Sequence, residues 1–396
     1  MIKDPLRGFA SIAGIGFTKQ GRIEDRTALS FHVEACANAI KDAGLKKDDI
    51  DGLFIYRHFN TKENEPDITP YLLAQQLGIK PVVLSQEANC AREHLYHAVS
   101  LLYSGLCKYI LLSYADNAVA CKRTFVEEAT HGLPFDDIAS FGQFGIVSAY
   151  ALAANRAIHE FGTGPNVWKH IALSNRKWAN LNPQAIMHKK VMKEEDYYSA
   201  KYIVEPLRLF DCALINDGGR ACILTTTERA KDLKNKPAVI LGIGQSNPSY
   251  DIYQSFYMTK NSGAKKASEL AFNMAKITHK DIDALQIYDC FTYTVDLTLA
   301  DYGFYEYGRG EEFFADGKTY PGGSLPMNTS GGLLSEAYFM GLTHLTEGAM
   351  QIMGRCGTRQ LGELPGTHKP DIILCSDNGA VLQTHSCTIL GSLDTL

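Results

Sequence analysis

Residues 35–56 (ACANAIKDAGLKKDDIDGLFIY) return in altered form at residues 267–288 (ASELAFNMAKITHKDIDALQIY). The offset is constant at 232, and nine of the 22 positions are identical. In both copies alanines recur every fourth residue, which puts small side chains on one face of a helix and lets it pack closely. The short branched stretch that follows, DIDxLxIY, is typical of a strand. The sequence therefore predicts two similar halves.

The segments around the two copies repeat in the same order. In each half a strand ending in Gly-Ile-Gly precedes the copy, and a later strand ends near Asp-Asn. These four predicted strands lie at 11–16, 238–244, 109–117 and 371–378. Strands that alternate with helices indicate an α/β fold. We divide the chain into an N-terminal half, 1–230, and a C-terminal half, 235–396, joined by a Lys-rich linker at 231–236.

An insertion at about 118–203 lengthens the first half. It contains one apolar helical run, 145–161, followed by a stretch rich in Lys and Asn at 174–203. We expect this insertion to form a covering loop region. The half then closes with a turn and a strand in residues 215–224, INDGGRACIL.

Composition excludes several classes of protein. The chain has 39 Lys and Arg against 44 Asp and Glu, a net charge of -5, which gives no basic footprint for nucleic acid. No apolar run is long enough for a membrane span, and the first residues lack a signal-peptide pattern. The ten cysteines form no CxxC pair, so a zinc site within this chain is not expected. A reducing cytoplasm is the predicted setting.

Three places combine reactive side chains with the ends of predicted elements. Cys90 follows a strand and lies at the first turn of a helix, where the helix dipole and unpaired N–H groups favour thiolate. Cys290 lies in Tyr288-Asp289-Cys290-Phe291 at the C-terminal end of a strand, where open α/β sheets bind ligands. Tyr338 and His344 follow the paired glycines of residues 328–341, NTSGGLLSEAYFMG. The structural alternatives are buried cysteines, a core tyrosine and a helix histidine with satisfied nitrogens.

Together these motifs resemble the thiolase superfamily over the whole chain, and more narrowly its sterol-carrier-protein-type branch with lipid-transfer-protein-like relatives. The resemblance implies a thiolase fold: α/β, with two duplicated βαβ-containing halves in a layered αβαβα arrangement and a loop insertion. Two loops depart from the family pattern. Tyr288 replaces the histidine of the His-Asp-Cys-Phe loop, and Ala337-Tyr338-Phe339 replaces Gly-His-Pro. The Cys-x-Gly loop is matched only in part, by Cys375–Gly379.

The resemblance implies CoA-dependent thiolytic cleavage of a β-ketoacyl-CoA, an acyltransferase reaction. Cys90 would carry the acyl-cysteine intermediate, and Cys290 would act as acid and then as base. Tyr338 would stabilise the enolate, and Tyr288 with backbone N–H groups near Gly379 would hold the oxyanion. Coenzyme A is then a co-substrate, with no cofactor bound covalently. The residues expected to contact substrate are Arg92, His344, Asn328, Gly332 and Gly379.

Arg92 suggests a particular substrate class. It lies two positions after Cys90, where it could pair bidentately with a substrate carboxylate, or else with a nearby acid of the chain. Relatives with similar loops include the thiolase subunit that cleaves 2-benzoylsuccinyl-CoA in anaerobic aromatic degradation, and that substrate carries a free carboxylate. A carboxylated or aromatic acyl-CoA is therefore one prediction.

Two other functions stay open. The Ser-Glu-Ala-Tyr variant at 335–338 also resembles relatives that act as retro-aldolase lyases on β-hydroxyacyl-CoA, in which tyrosines move the protons and the nucleophilic cysteine is generally missing. Because Cys90 is present, the thiolase is the first prediction. A non-catalytic acyl-CoA or lipid carrier is the third possibility. The resemblance further implies a homodimer and a small partner subunit with a zinc ribbon and an oligonucleotide-type barrel.

Overall fold

One mixed sheet organises the chain. A computed structural model describes residues 5–56, 67–87, 93–122, 145–248, 258–379 and 381–396. Within these ranges eleven strands occur, nine of which form the main sheet while β5 and β6 pair separately. In chain order they are β1 Ala10–Phe17, β2 Gly52–Tyr56, β3 Val83–Glu87, β4 Tyr109–Asn117, β5 Tyr202–Val204, β6 Leu207–Arg208, β7 Asp217–Thr226, β8 Ala238–Ser246, β9 Ala284–Gln286, β10 Ile372–Gly379 and β11 Thr384–Gly391.

The order of strands in the sheet shows the duplication. It runs β3-β2-β4-β7-β1-β8-β11-β10-β9. Outward from the central antiparallel pair β1 and β8, the series β7-β4-β2 of the first half mirrors β11-β10-β9 of the second. The corresponding pairs β2–β4 and β9–β10 are both parallel. The predicted two-part α/β architecture is therefore confirmed, and the predicted boundary at 231–236 precedes β8.

Twelve helices of the described residues pack around this sheet. They are α1 Ala28–Ala43, α2 Pro70–Leu77, α3 Glu93–Tyr103, α4 Gly145–Phe161, α5 Pro165–Leu181, α6 Glu194–Ser199, α7 Thr227–Ala230, α8 Gly263–Ala275, α9 Thr292–Asp301, α10 Gly310–Phe314, α11 Gly332–Ser335 and α12 Leu342–Met353. No helix in these ranges is both long and apolar enough to cross a bilayer.

The helices form three layers. The strands of the first half lie between one pair of layers, and the strands of the second half lie between the other. Helix α1 packs on β1, β4 and β7 of the first half, and α8 packs on β8 and β11 of the second. Helices α3 and α12 each contact strands from both halves, and one apolar cluster joins their side chains to both sets of strands. This pair is the shared middle layer of the predicted αβαβα arrangement.

The repeated Gly and Ala residues bring each outer helix against its strand. A Cβ on Gly16 would lie 2.0 Å from the carbonyl oxygen of Ala35 on α1. A Cβ on Gly244 would lie 1.8 Å from the carbonyl oxygen of Ala267 on α8. These contacts join backbone to backbone, so no side chain can move aside to relieve a clash. The sequence repeat therefore reflects the same packing contact between helix and strand in each half.

The insertion is more helical than predicted. Its polar stretch contributes the second half of α5, on which Ser174, Asn175 and Arg176 are all buried. Ser174 Oγ donates to the carbonyl of Thr319 at 2.9 Å, and Arg176 Nε donates to Ser335 Oγ at 3.0 Å. The sequence did not predict this part of the helix because three polar residues stand among the apolar ones on its buried face, and the partners of Ser174 and Arg176 lie far away in the sequence.

Gly244→Ala should destabilise the protein strongly. Overpacking a core contact costs about 1–3 kcal/mol, and we expect the upper end here because the clash is with backbone. Urea denaturation measures the change in the free energy of unfolding. Lys266→Ala on the exposed side of α8 serves as the control, since its ion pair with Glu269 is long and solvent-exposed. Equal stabilities for the two variants would contradict the packing argument.

Candidate active site

The structure brings the predicted residues of the second half together. Tyr288 follows β9, Tyr338 lies between α11 and α12, and His344 is on the first turn of α12. Cys90 and Arg92 lie outside the described residues; β3 ends at Glu87 and α3 begins at Glu93. The nucleophile and the carboxylate contact predicted at these two positions therefore stay predictions.

Two tyrosines meet at the centre of this site. The hydroxyl oxygens of Tyr288 and Tyr338 are 2.9 Å apart, so they share a hydrogen bond. Tyr288 is buried, whereas Tyr338 is half-buried. Burial, followed by the neighbouring Tyr338, raises the pKa of Tyr288 well above its ordinary value. Tyr288 is therefore a neutral hydroxyl at physiological pH, able to donate and accept hydrogen bonds.

Asp289 is the structural centre of the site. Its carboxylate has no solvent exposure and accepts hydrogen bonds from His344 Nε2 at 2.8 Å and from the backbone N–H groups of Leu333 and Leu334 at 2.9 and 3.2 Å. Asn175 Nδ2, on α5 of the insertion, donates a fourth at 2.5 Å. Each donor comes from a segment distant in sequence, so Asp289 fixes the insertion, α11 and α12 beside the tyrosines.

His344 and Gly332 both contact Asp289, and their predicted contacts with substrate stay predictions. His344 is 1% exposed, and its ring lies 5.7 Å from the ring of Tyr288. Gly332 has φ +59°, and a Cβ there would lie 2.3 Å from Asp289 Oδ2. A glycine is needed because only hydrogen leaves room for the carboxylate. Both residues therefore support the site through Asp289.

Asn328 is likewise committed to the backbone. Its Oδ1 accepts from the N–H of Ile287 at 2.7 Å, and its Nδ2 donates to the carbonyl of Ile287 at 2.9 Å. The side chain is fully buried. It thus extends β9 by one peptide and sets the position of Tyr288, while its predicted contact with substrate stays a prediction.

Cys290 is a protonated thiol. Burial raises its pKa to about 12, against the weaker effect of hydrogen bonds with Thr294 and Tyr150. Its sulfur lies 3.7 Å from Thr294 Oγ1. At neutral pH the group can donate a proton, as predicted for an acid, but the thiolate that the predicted base needs is scarce.

The stretch Cys375–Gly379, which partly matches the Cys-x-Gly loop, contacts the site through Ser376. Ser376 Oγ, on β10, accepts a hydrogen bond from the backbone N–H of Tyr288 at 2.9 Å. Gly379 is the last residue of β10 and pairs with Thr384. Its predicted place among the oxyanion donors stays a prediction. Among the described residues, no group of three or more His, Cys, Asp and Glu is placed to hold a metal ion.

Sequence reasoning missed Asp289 and Asn175 as the support of the site. The only signals were indirect: an acid directly between two candidate residues, and an asparagine at the start of a polar stretch. Asn216, at the start of the INDGGR stretch, was also missed. Its Oδ1 accepts from the N–H of Tyr338 at 2.5 Å.

Comparisons with known proteins show the family to which the chain belongs. Residues 244–392 match the family described as Thiolase C-terminal domain-like. Over 367 residues the chain is 31% identical to the steroid side-chain-cleaving aldolase of Thermomonospora curvata, covering 88% of this chain and 91% of that protein. The chain belongs to the thiolase superfamily. It is therefore an acyl-CoA enzyme of that superfamily.

Other members of the superfamily differ in the reaction that their names give. The chain is 30% identical over 370 residues to the acetyl-CoA acetyltransferase of Methanothermobacter thermautotrophicus, covering 90% of this chain and 95% of that one. A solved structure described as an Ltp2-ChsH2(DUF35) aldolase has 30% identity, a TM-score of 0.84 and 98% coverage of both chains. These likenesses confirm the thiolase fold and the lipid-transfer-protein-like branch.

The specific resemblance to benzoylsuccinyl-CoA thiolase is weak. Identity to the BbsB subunit of Thauera aromatica is 24% over 369 residues, covering 89% of this chain and 91% of that one. That likeness is more distant than the two relatives above, so the thiolase superfamily is shown while the 2-benzoylsuccinyl-CoA substrate and a place in aromatic degradation are not.

Cys290 should react slowly with iodoacetamide. A pKa of about 12 in place of 9.0 lowers the thiolate fraction at about pH 8 roughly 10³-fold. Peptide mass spectrometry should show the rate at Cys290 still rising about tenfold per unit at about pH 10. The denatured chain is the control, and its rate should level off near the ordinary thiol pKa. An early plateau in the native protein would contradict the assignment, whatever the absolute rate.

Proposed function

We propose that this protein is a lyase that cleaves a β-hydroxyacyl-CoA by a retro-aldol reaction. The observation that carries the proposal is the pair of tyrosine hydroxyls, 2.9 Å apart, at the two loop positions where the resemblance leads one to expect histidines. The aldolase relative and the aldolase structure support this alternative better than the thiolase reaction that the sequence analysis put first.

The reaction moves one proton between two atoms of the substrate. The β-hydroxyl loses its proton, the bond between Cα and Cβ breaks, and the β-carbon becomes a ketone or aldehyde. The electron pair of the broken bond forms the enolate of the shortened acyl-CoA, which a proton at Cα then neutralises. No oxidant, water or free coenzyme A is consumed.

A hydrogen-bonded pair of neutral tyrosines suits this proton transfer. One hydroxyl takes the proton from the β-hydroxyl while it passes its own to the second, and the second gives a proton to Cα. Neither tyrosine then has to exist as a phenolate, which the raised pKa of Tyr288 makes costly. The Cys290 thiol, also protonated, is a further candidate donor of the proton to the enolate.

The substrate and partner follow from the same relatives. The name of the aldolase relative suggests an acyl-CoA with a bulky carbon skeleton at the β-carbon. The similar solved structure pairs an Ltp2 chain with ChsH2(DUF35), and we propose a small partner of that kind here. The homodimer and the cytoplasmic setting stay predictions, and coenzyme A acts only as part of the substrate.

Thiolytic acyl transfer is the second candidate. It is favoured by Cys90 in the sequence and by the acetyl-CoA acetyltransferase relative. This reaction needs the thiolate of Cys90 to attack a β-keto carbon and free coenzyme A to release the acyl group. A carboxylated substrate held by Arg92 belongs to this candidate.

Replacing either tyrosine should abolish lyase turnover. Tyr288→Phe and Tyr338→Phe each remove one hydroxyl of the relay, so kcat should fall about 10²–10⁴-fold, and the double variant should fall no further because the pair acts as a unit. Cys90→Ala should retain activity. The measurement is release of the carbonyl product from a β-hydroxyacyl-CoA by wild type and variants.

Tyr198→Phe, on the exposed surface of α6, is the matched control and should leave kcat unchanged. Strictly additive losses for the two tyrosines would argue against a relay. Loss of turnover in Cys90→Ala with retention in both tyrosine variants would favour the thiolase instead.

A further inference from the structure

The stretch that opens β7 contacts the loop that carries Tyr338. Residues 216–220 read NDGGR and belong to the first half. The segment 336–343, which is the loop after α11 together with the first two residues of α12, belongs to the second. Nothing in the proposed chemistry uses this stretch. Its polar side chains are nevertheless buried, with Asn216 3% and Arg220 1% exposed.

Asn216 holds the backbone of Tyr338 itself. The N–H of Tyr338 donates to Asn216 Oδ1 at 2.5 Å, and Asn216 Nδ2 donates to the carbonyl of Tyr338 at 3.4 Å. A side-chain amide carries one acceptor and donors that can match the N–H and C=O of a peptide. The two bonds restrain both sides of the same Cα, from which the catalytic side chain projects.

Arg220 holds the loop on either side of that point. Its guanidinium forms an ion pair with Glu336 and donates to the carbonyl of Thr343 at 3.2 Å. The guanidinium carbon also lies 5.2 Å from the ring centroid of Phe339. Arg220 thus contacts residues on both sides of Tyr338: Glu336 two positions before it, Phe339 one after and Thr343 five after. The planar guanidinium makes them in directions that an ammonium group cannot reproduce.

Gly218 completes the fit. Its φ is +142°, and a Cβ there would approach Cζ of Phe339 to 2.9 Å. The ring next to Tyr338 therefore rests directly on the backbone of β7. Asn216, Gly218 and Arg220 face the loop at alternate positions of the strand, as residues on one face of a strand do.

We infer that Asn216 and Arg220 are positioning residues for Tyr338. Tyr288 is fixed by its own half, through Asn328 and Ser376. The neighbours of Tyr338 are held within that half by Thr343, and Tyr338 itself is held by the opposite half, through Asn216 and Arg220. The 2.9 Å distance between the two hydroxyl oxygens therefore depends on how the two halves pack together. The NDGGR stretch is the part of the first half that positions Tyr338 relative to Tyr288.

The inference rests on the proposed function only for its kinetic readout. Displacing a reacting group by about 1 Å can cost about 10²-fold in rate. Asn216→Ala should therefore lower kcat for the β-hydroxyacyl-CoA about 10²-fold with KM changed less than about twofold, because Asn216 acts through Tyr338 and not on the substrate. Arg220→Lys, which keeps the charge but loses the fork, should do the same and serves if Asn216→Ala does not fold.

A second readout is independent of activity. Fluorotyrosine placed at position 338 reports its surroundings by ¹⁹F NMR, and both variants should shift or broaden that resonance. Asn235→Ala is the matched control: Nδ2 of Asn235 also donates to backbone carbonyls, of Asp42 at 2.7 Å and of Ala13 at 3.3 Å, but these belong to α1 and β1 and not to the Tyr338 loop. It should lower the melting temperature and leave kcat and the resonance unchanged.

Each result decides one claim. An unchanged kcat and resonance in Asn216→Ala and Arg220→Lys would overturn the inference. A rise in KM that accounts for the whole loss would also overturn it, since the residues would then bind substrate. A wild-type protein that binds the acyl-CoA but does not cleave it would refute the proposed function, and the resonance alone would then decide the positioning role.

Discussion

The buried carboxylate of Asp289 is the interaction on which the site depends. A charge withdrawn from water is costly unless hydrogen bonds replace its hydration, and here four donors do so. Because the donors come from α5, α11 and α12, the three elements must meet at one point for Asp289 to be satisfied. The residue next to Asp289 in the chain is Tyr288, so the same constraint that closes the fold also places the relay.

The chemistry follows from what this arrangement leaves available. His344 contacts Asp289 and Asn328 contacts the peptide of Ile287, so both residues hold the site together. Among the described residues, the site also offers two tyrosine hydroxyls in contact with each other and a protonated thiol. Neutral donors and acceptors of this kind suit a reaction that relocates a single proton.

The sequence predicted the architecture well because its repeat consists of packing residues. Gly16 with Ala35 and Gly244 with Ala267 are constrained to small size by backbone contacts, so both copies kept the pattern. Tyr288, Cys290 and Tyr338 were found as separate candidates from their loops. Their contact was not predictable, since it depends on side-chain placement across 50 residues of chain.

The rest of the site was not predicted because the residues that interact are far apart in the sequence and their residue types are common. Asp289 has donors 44 or more residues away, and Asn216 meets Tyr338 over a separation of 122 residues. An aspartate in a candidate motif or an asparagine before a turn has many ordinary explanations. The second half of α5 was expected to belong to a loop region for a related reason: Ser174, Asn175 and Arg176 are polar residues on a buried face that is otherwise mostly apolar.

The dependence of turnover on free coenzyme A tests the central claim most directly. The protein is incubated with a β-hydroxyacyl-CoA from which free coenzyme A has been removed, and products and intact protein mass are followed together. A tyrosine relay predicts full turnover to a carbonyl compound and a shortened acyl-CoA, with no mass added to the protein. Cleavage that stops after one equivalent, leaves an acyl group on Cys90 and resumes when coenzyme A is added would contradict the account.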